Sequence, residues 1–284
     1  MEVIIGKYSG FCGGVKRAID MTEEAVKKNN DIYCLGEVVH NKQIINNLEA
    51  QGLKTVYDIK DVPANSKMII RAHGESEKIY ELAKQRNIEI LDSTCGNVIS
   101  IHKKIKKAKE DSFIIILGEK NHPEVLGHVG FAGENFYVVE DEDDILDAYM
   151  EYENTGLSKV YVVAQTTFSS KKFDMLEKEI YTNFIEADVV VDKTVCNATE
   201  TKQAECEKLS KEVDYMVVIG GQKSANSRKL AEIAKENCEN TYFVQTVEDL
   251  KSISFDGRKR AGIMAGASTP DYITEEVKKY LEEV

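Results

Sequence analysis

The 284-residue chain has no tryptophan, only three prolines and no serine or glycine tract, so nothing in it reads as a flexible linker. Long apolar runs are missing too. The longest, such as Phe113 to Leu117 and Val160 to Ala164, fall far short of the roughly 18 to 20 residues that cross a bilayer. Met1 to Gly6 lack the basic and apolar regions of a secretion signal, so a cytoplasmic location and no membrane partner are expected. Positive charge is in deficit, with 37 Lys plus Arg against 49 Asp plus Glu and a net charge of −12, which argues against nucleic acid as the main partner. The one basic run, His102 to Lys109, alternates Lys with Ile and Ala at helical spacing and reads as a solvated helix face. With 42% hydrophobic residues, the chain has ample apolar surface for a core.

No C-x-x-C pair occurs among the six cysteines, which excludes a zinc ribbon or a thioredoxin-type motif, and a disulfide framework is not expected. Cys12, Cys95 and Cys196 sit in turn-forming surroundings: Gly10-Phe11-Cys12-Gly13-Gly14, Ser93-Thr94-Cys95-Gly96-Asn97 and Val195-Cys196-Asn197-Ala198-Thr199. Cys34, Cys206 and Cys238 lie in strand-like or helix-like segments and read as structural thiols. Each turn cysteine follows a short apolar run and precedes a helical pattern, predicted over Val15 to Lys28, Val98 to Glu110 and Ala198 to Glu212.

Two further elements recur in the same order. The second comprises Leu35-Gly36-Glu37-Val38-Val39-His40, Leu117-Gly118-Glu119-Lys120-Asn121-His122 and Ile219-Gly220-Gly221-Gln222-Lys223-Ser224. The third comprises the segments that begin at Arg71, Ala164 and Ala265. From Cys12 to Cys95 is 83 residues and on to Cys196 is 101, while from Gly36 to Gly118 is 82 and on to Gly220 is 102. Such spacing predicts a triplicated α/β unit with mainly parallel sheets, arranged as a trefoil around a pseudo-threefold axis and a central cavity. The expected units are 14–95, 96–194, and 195–284 plus 1–13. In parallel sheets, binding groups collect beyond the carboxyl ends of the strands, where all nine turn segments are expected.

Three convergent thiolates match either a zinc site with an exogenous fourth ligand or an iron–sulfur cluster with one iron not held by protein, and spacing does not choose between them. The surrounding turn residues, His40, His73, His122, Thr166, Thr167, Ser224, Asn226, Ser227 and Ser268, are mostly hydrogen-bond donors and suit a phosphate-bearing substrate without Lys or Arg. Glu124 stands two residues from His122 and is a candidate proton donor. His102 and His128 lack a repeat position and read as solvated or turn histidines.

At these residues the sequence resembles the 4-hydroxy-3-methylbut-2-enyl diphosphate reductase family of the non-mevalonate isoprenoid pathway. The matching segments include Gly10-Phe11-Cys12-x-Gly14-Val15-x-Arg17-Ala18-Ile19, Ala72-His73-Gly74, His122-Pro123-Glu124-Val125, Gln165-Thr166-Thr167-x-Ser169, Ser224-x-Asn226-Ser227 and Gly266-Ala267-Ser268-x-Pro270. The resemblance implies one [4Fe-4S] cluster on Cys12, Cys95 and Cys196, with the substrate oxygen on the fourth iron. It further implies that His40, His73, His122, Ser224, Asn226 and Ser268 hold the diphosphate, and that Thr166 and Glu124 organise protons near the leaving hydroxyl. A ferredoxin or flavodoxin electron donor, a monomer and the absence of an RNA-binding extension beyond Val284 complete the expectation. One departure is Ala225, where the family commonly has a second serine, which is expected to affect diphosphate affinity. The competing readings are a quinolinate-synthase-like dehydratase, which should lack the His-Pro-Glu loop, and a non-catalytic iron–sulfur sensor, which should carry a partner-binding or DNA-binding surface.

Overall fold

The computed structural model describes residues 1–29, 31–256 and 259–284. The chain begins with β1 (Glu2–Ile5), α1 (Gly13–Lys28), β2 (Ile32–Leu35), α2 (Lys42–Ala50), β3 (Leu53–Val56), β4 (Lys67–Ile70), α3 (Glu77–Gln85), β5 (Glu89–Asp92) and α4 (Gly96–Ala108). It continues with β6 (Phe113–Leu117), α5 (Pro123–Ala132), β7 (Phe136–Val139), α6 (Asp144–Glu153), β8 (Lys159–Ala164), α7 (Ser170–Asn183), β9 (Asp188–Val191) and α8 (Asn197–Ser210). The last stretch holds β10 (Tyr215–Ile219), α9 (Ala225–Asn237), β11 (Thr241–Val244), β12 (Arg260–Ala265) and α10 (Asp271–Glu283). No described helix is long and apolar enough to cross a membrane.

Two compact units form: Met1–Ile19 with Val39–Asn47 and Asn197–Val284, and Asp20–Val38 with Leu48–Cys196. The first unit contains a parallel sheet of order β1-β12-β10-β11. The second contains two parallel sheets, β3-β2-β4-β5 and β7-β6-β8-β9. One strand order serves all three. Counting from the strand after each cysteine-led helix, the order is second, first, third, fourth, and β1 is the fourth strand of the sheet that β10 begins. The expected α/β class with parallel sheets is therefore what the chain adopts.

Past the charged residues Lys67, Lys159 and Arg260 that open β4, β8 and β12, the central strands are apolar because helices cover their faces, as parallel sheets require. In the first unit, Val217, Ile219 and Ile263 pack with Ile273, Val277 and Leu281 of α10, while Met216, Val218 and Met264 pack with Leu209 of α8 and Leu230 and Ile233 of α9. In the second unit, Phe113, Ile115 and Val162 meet Phe173, Leu176 and Ile180 of α7, and Ile114, Ile116 and Val163 meet Ile101 and Ile105 of α4. Each such side chain contributes about 1.5–3 kcal/mol of burial.

Candidate active site

All nine turn segments follow the carboxyl end of a strand, and the repeat persists in their hydrogen bonds. The second-element glycines donate to equivalent carbonyls: Gly36 to Val56 at 2.7 Å, Gly118 to Val139 at 3.0 Å and Gly220 to Val244 at 2.9 Å. The turn cysteines do likewise: the N–H of Cys12 bonds Ala267 O at 3.3 Å, that of Cys95 bonds Ala72 O at 3.0 Å and that of Cys196 bonds Thr166 O at 3.0 Å. Ala72, Thr166 and Ala267 are thus equivalent, so His73 pairs with Thr167 and Ser268. The segments aligned from Arg71, Ala164 and Ala265 run one residue out of register, because β4 ends at Ile70 whereas β8 and β12 end at Ala164 and Ala265.

In the first unit, Cys12 is half-buried and immediately precedes α1. Two α8 side chains fix the loop that leads to it. Lys202, buried, donates to the Tyr8 carbonyl and to Gly10 O at 2.8 Å, and Glu205 accepts from the N–H groups of Lys7 at 2.6 Å and Tyr8 at 2.8 Å. Sequence reasoning missed this clamp, whose only trace is the spacing of three between residues 202 and 205 on one helix face. A cleft of about 390 Å³ lies beside it, lined by Cys12, Tyr8, Phe11, Asn197 and Lys202 among others. Ser224 caps α9 by accepting the N–H of Ser227 at 3.3 Å, and the two hydroxyls lie 3.0 Å apart. Gly266 is needed here, since a Cβ would overlap the Ser227 hydroxyl. Asn41, next to His40, donates through Nδ2 to Ser268 O at 2.9 Å. Asn226 Nδ2 and Ser268 Oγ are buried without a hydrogen-bond partner among the described residues, an arrangement that costs stability unless a ligand completes it. Ala225 begins α9 and is buried.

In the second unit, Cys95 is the N-cap residue of α4, its thiol accepting no bond from the first-turn N–H groups, and Cys196 Sγ accepts from Asn97 Nδ2 at 3.0 Å. Both thiols are half-buried and stand at helix N-termini, where negative charge is stabilised. The other three cysteines are more deeply buried, and burial pushes Cys34 and Cys206 up to about 12 and raises Cys238 as well, so these thiols stay protonated. His122 caps α5, its Nδ1 accepting from Glu124 N at 3.1 Å, with Pro123 at the first helical position. Its ring meets that of His73 edge-on at 5.3 Å. Gly74 follows His73 with φ +73°, and a Cβ there would lie 2.8 Å from the His102 ring.

Glu124 is 2% exposed and is gripped by one residue: Thr166 donates its N–H to Oε1 at 2.5 Å and its hydroxyl to Oε2 at 2.8 Å. Burial pushes this carboxyl up, but His128, His122 and the Thr166 N–H outweigh it and hold Glu124 below the ordinary carboxylate value. His102 and His128 correct the sequence reading, for both are buried rather than solvated. His102 falls on the apolar stripe of α4 with Val98, Ile101 and Ile105, and its neighbouring lysines alone face solvent. His128 lies one turn beyond Glu124. Thr167, equivalent to His73 and Ser268, accepts from Gln165 Nε2 at 2.7 Å.

The LytB protein family model matches residues 3–282. The 4-hydroxy-3-methylbut-2-enyl diphosphate reductase of Caldanaerobacter subterraneus subsp. tengcongensis is 37% identical over 98% of this chain and 95% of its own length, and that of Aquifex aeolicus 38% identical over 100% and 97%. Among solved structures, (E)-4-hydroxy-3-methyl-but-2-enyl diphosphate reductase, described as the terminal enzyme of the non-mevalonate pathway, is 37% identical, covers both chains fully and gives a TM-score of 0.70. The E-1-hydroxy-2-methyl-but-2-enyl-4-diphosphate reductase of Plasmodium falciparum is 29% identical, with a TM-score of 0.87 over 99% of this chain and 87% of its own. End-to-end matches of this kind, together with the threefold hydrogen-bond pattern, place the chain in the LytB protein family.

Proposed function

We propose that this protein reduces (E)-4-hydroxy-3-methylbut-2-enyl diphosphate to isopentenyl and dimethylallyl diphosphate, releasing the hydroxyl as water. The observation that carries the reading, within the family framework, is the buried Glu124 carboxylate locked by both donors of Thr166. Replacing a C–O bond by C–H takes two electrons and two protons, and no side chain stores two electrons. One [4Fe-4S] cluster on Cys12, Cys95 and Cys196 would supply those electrons and a Lewis-acidic iron at the hydroxyl. The donor set fits such a group: three half-buried thiols outside any disulfide, at helix starts, each N–H tied to an equivalent carbonyl.

His40, His73, His122, Thr166, Ser224, Asn226 and Ser268 would bind the substrate. The unpartnered Asn226 Nδ2 and Ser268 Oγ support an anion beside them, as does the N-terminus of α9 that Ser224 caps. Thr166 would orient Glu124, and Glu124 would carry a proton to the departing oxygen while its burial excludes bulk water. The same reading takes 14–95, 96–194, and 195–284 plus 1–13 as the three copies, a ferredoxin or flavodoxin as electron donor, the cytoplasm as location and a monomer as the working form. Anaerobic purification with iron and sulfide analysis, followed by turnover of the hydroxylated allylic diphosphate with a chemical reductant, tests it. Zinc in place of iron and sulfide, or no conversion by iron-loaded protein, would reject it.

A further inference from the structure

The second unit buries two histidines for which the proposed reaction has no role. His128 is 0% exposed on α5, with Nε2 3.4 Å from Glu124 Oε1. That contact is too poorly aligned for a hydrogen bond, and neither ring nitrogen of His128 has a hydrogen-bond partner among the described residues. On the other side stands His102 from α4, its ring centroid 5.2 Å away and nearly perpendicular, itself stacked on Phe131 at 4.3 Å. A buried imidazole without a hydrogen bond costs stability that an aliphatic residue in the same space would not. Glu124 is the acid His128 touches, and its two oxygens are otherwise committed to Thr166.

We infer that His128 and Glu124 share one buried proton and donate it as a unit, with His128 the positioning residue that holds and resupplies the proton Glu124 delivers. The inference rests on the proposed reaction, in which Glu124 faces the leaving hydroxyl. Once the imidazole turns to aim its Nε2–H at Oε1, the proton passes from Nε2 of His128 to the Glu124 carboxylate and from that carboxyl to the departing oxygen. The N–H bond and then the carboxyl O–H bond break as the new O–H bonds form. A neutral imidazole and a carboxylate remain, and they recover one proton from solvent between turnovers. The groups around the pair are consistent with this. His122 caps the same helix and helps hold Glu124 low, and His73 lies beyond it. Burial, reinforced by His128, pushes His102 down to about 4, while Glu124 and Asp92 pull it the other way. A neutral His102 leaves the proton with the pair.

The test uses iron-loaded wild-type protein and His128→Gln, with His128→Asn as a second variant should the first fail to fold. The expected result is a kcat lowered by about ten-fold or more with KM little changed, within the range of general acid–base effects. The alkaline limb of the kcat–pH profile should also move to lower pH, because a carboxyl ordinarily loses its proton about two units before an imidazolium. Infrared difference spectra supply a readout independent of turnover. In wild type, Glu124 should stay ionised while the pair takes up its proton; in His128→Gln a protonated-carboxyl band should instead appear as pH falls through the shifted limb, and adding Glu124→Gln should remove it. An unmoved alkaline limb or the absence of that band overturns the inference, even if the rate falls, since a merely structural histidine would move neither. If wild-type protein does not convert the substrate, the proposed reaction fails, and the infrared measurement still decides whether the pair shares its proton.

Discussion

Glu124 and Thr166 place a carboxylate between two donors from one residue, so the acid cannot rotate freely and its orientation depends on Thr166. Glu124→Gln keeps the shape but removes the transferable proton. We expect kcat to fall by about 10²- to 10⁴-fold while the visible spectrum of the iron-loaded protein stays unchanged, as steady-state kinetics and absorption spectroscopy would show. Thr166→Val should lower kcat as well, by loosening the same grip. His102 makes a separate prediction about pH. Its folded value of about 4 lies below the unfolded 6.5, so the unfolded chain binds the extra proton between those values. Stability should therefore fall as pH drops from about 6.5 to 4, by on the order of 3 kcal/mol from this group. Glu124, also held low, adds loss on the acid side as pH falls through its folded value. Thermal melts across that range should show the slope, and His102→Leu should reduce it; an unchanged slope would mean that other groups set it.

At the scale of elements, the site rests on how helices begin. His122, Ser169 and Ser224 cap α5, α7 and α9, and Cys95 opens α4, so several residues of the proposed site, His122, Ser224 and Cys95, also terminate backbone. Ser224→Ala should cost about 1 kcal/mol of stability in denaturant titration and, under the proposed function, raise KM. Lys202 and Glu205 clamp residues 7–10 ahead of Cys12, so Lys202→Met should leave α8 helical by circular dichroism yet speed the loss of iron from reconstituted protein; unchanged iron retention would deny the clamp that role. Much of this scale was legible in the sequence. Strand, cysteine and helix alternate visibly, and the helices predicted from Val15, Val98 and Ala198 start within two residues of where they form. The one-residue register error in the third element arose because strand ends were set by apolar runs, whereas a hydrogen bond from the cysteine N–H fixes the true equivalence. His102 reads as solvated because the lysines that follow it, Lys103, Lys104, Lys106 and Lys107, mask its place on the i, i+3, i+4 stripe with Val98, Ile101 and Ile105. The Lys202–Glu205 clamp joins residues nearly two hundred positions from the loop they hold, and no local pattern announces a bond of that length.

For the whole molecule, three sheets of one strand order, with β1 completing the sheet that β10 begins, are what a triplicated gene segment cut within a unit would produce. Each sheet keeps its own apolar layers, so damage to one should be felt locally. Ile115→Ala, in a fully buried strand, should cost about 2–5 kcal/mol, read as a lower midpoint in denaturant, without altering the exchange protection of amides in β10 and β12. The most direct measurement is product analysis after anaerobic reconstitution with iron and sulfide, in which the protein is given (E)-4-hydroxy-3-methylbut-2-enyl diphosphate and a low-potential reductant. Isopentenyl and dimethylallyl diphosphate should accumulate, and replacing Cys12, Cys95 or Cys196 with Ser should abolish both the products and the bound iron. Untouched substrate beside a fully loaded cluster, or full iron retention in all three variants, would contradict the account.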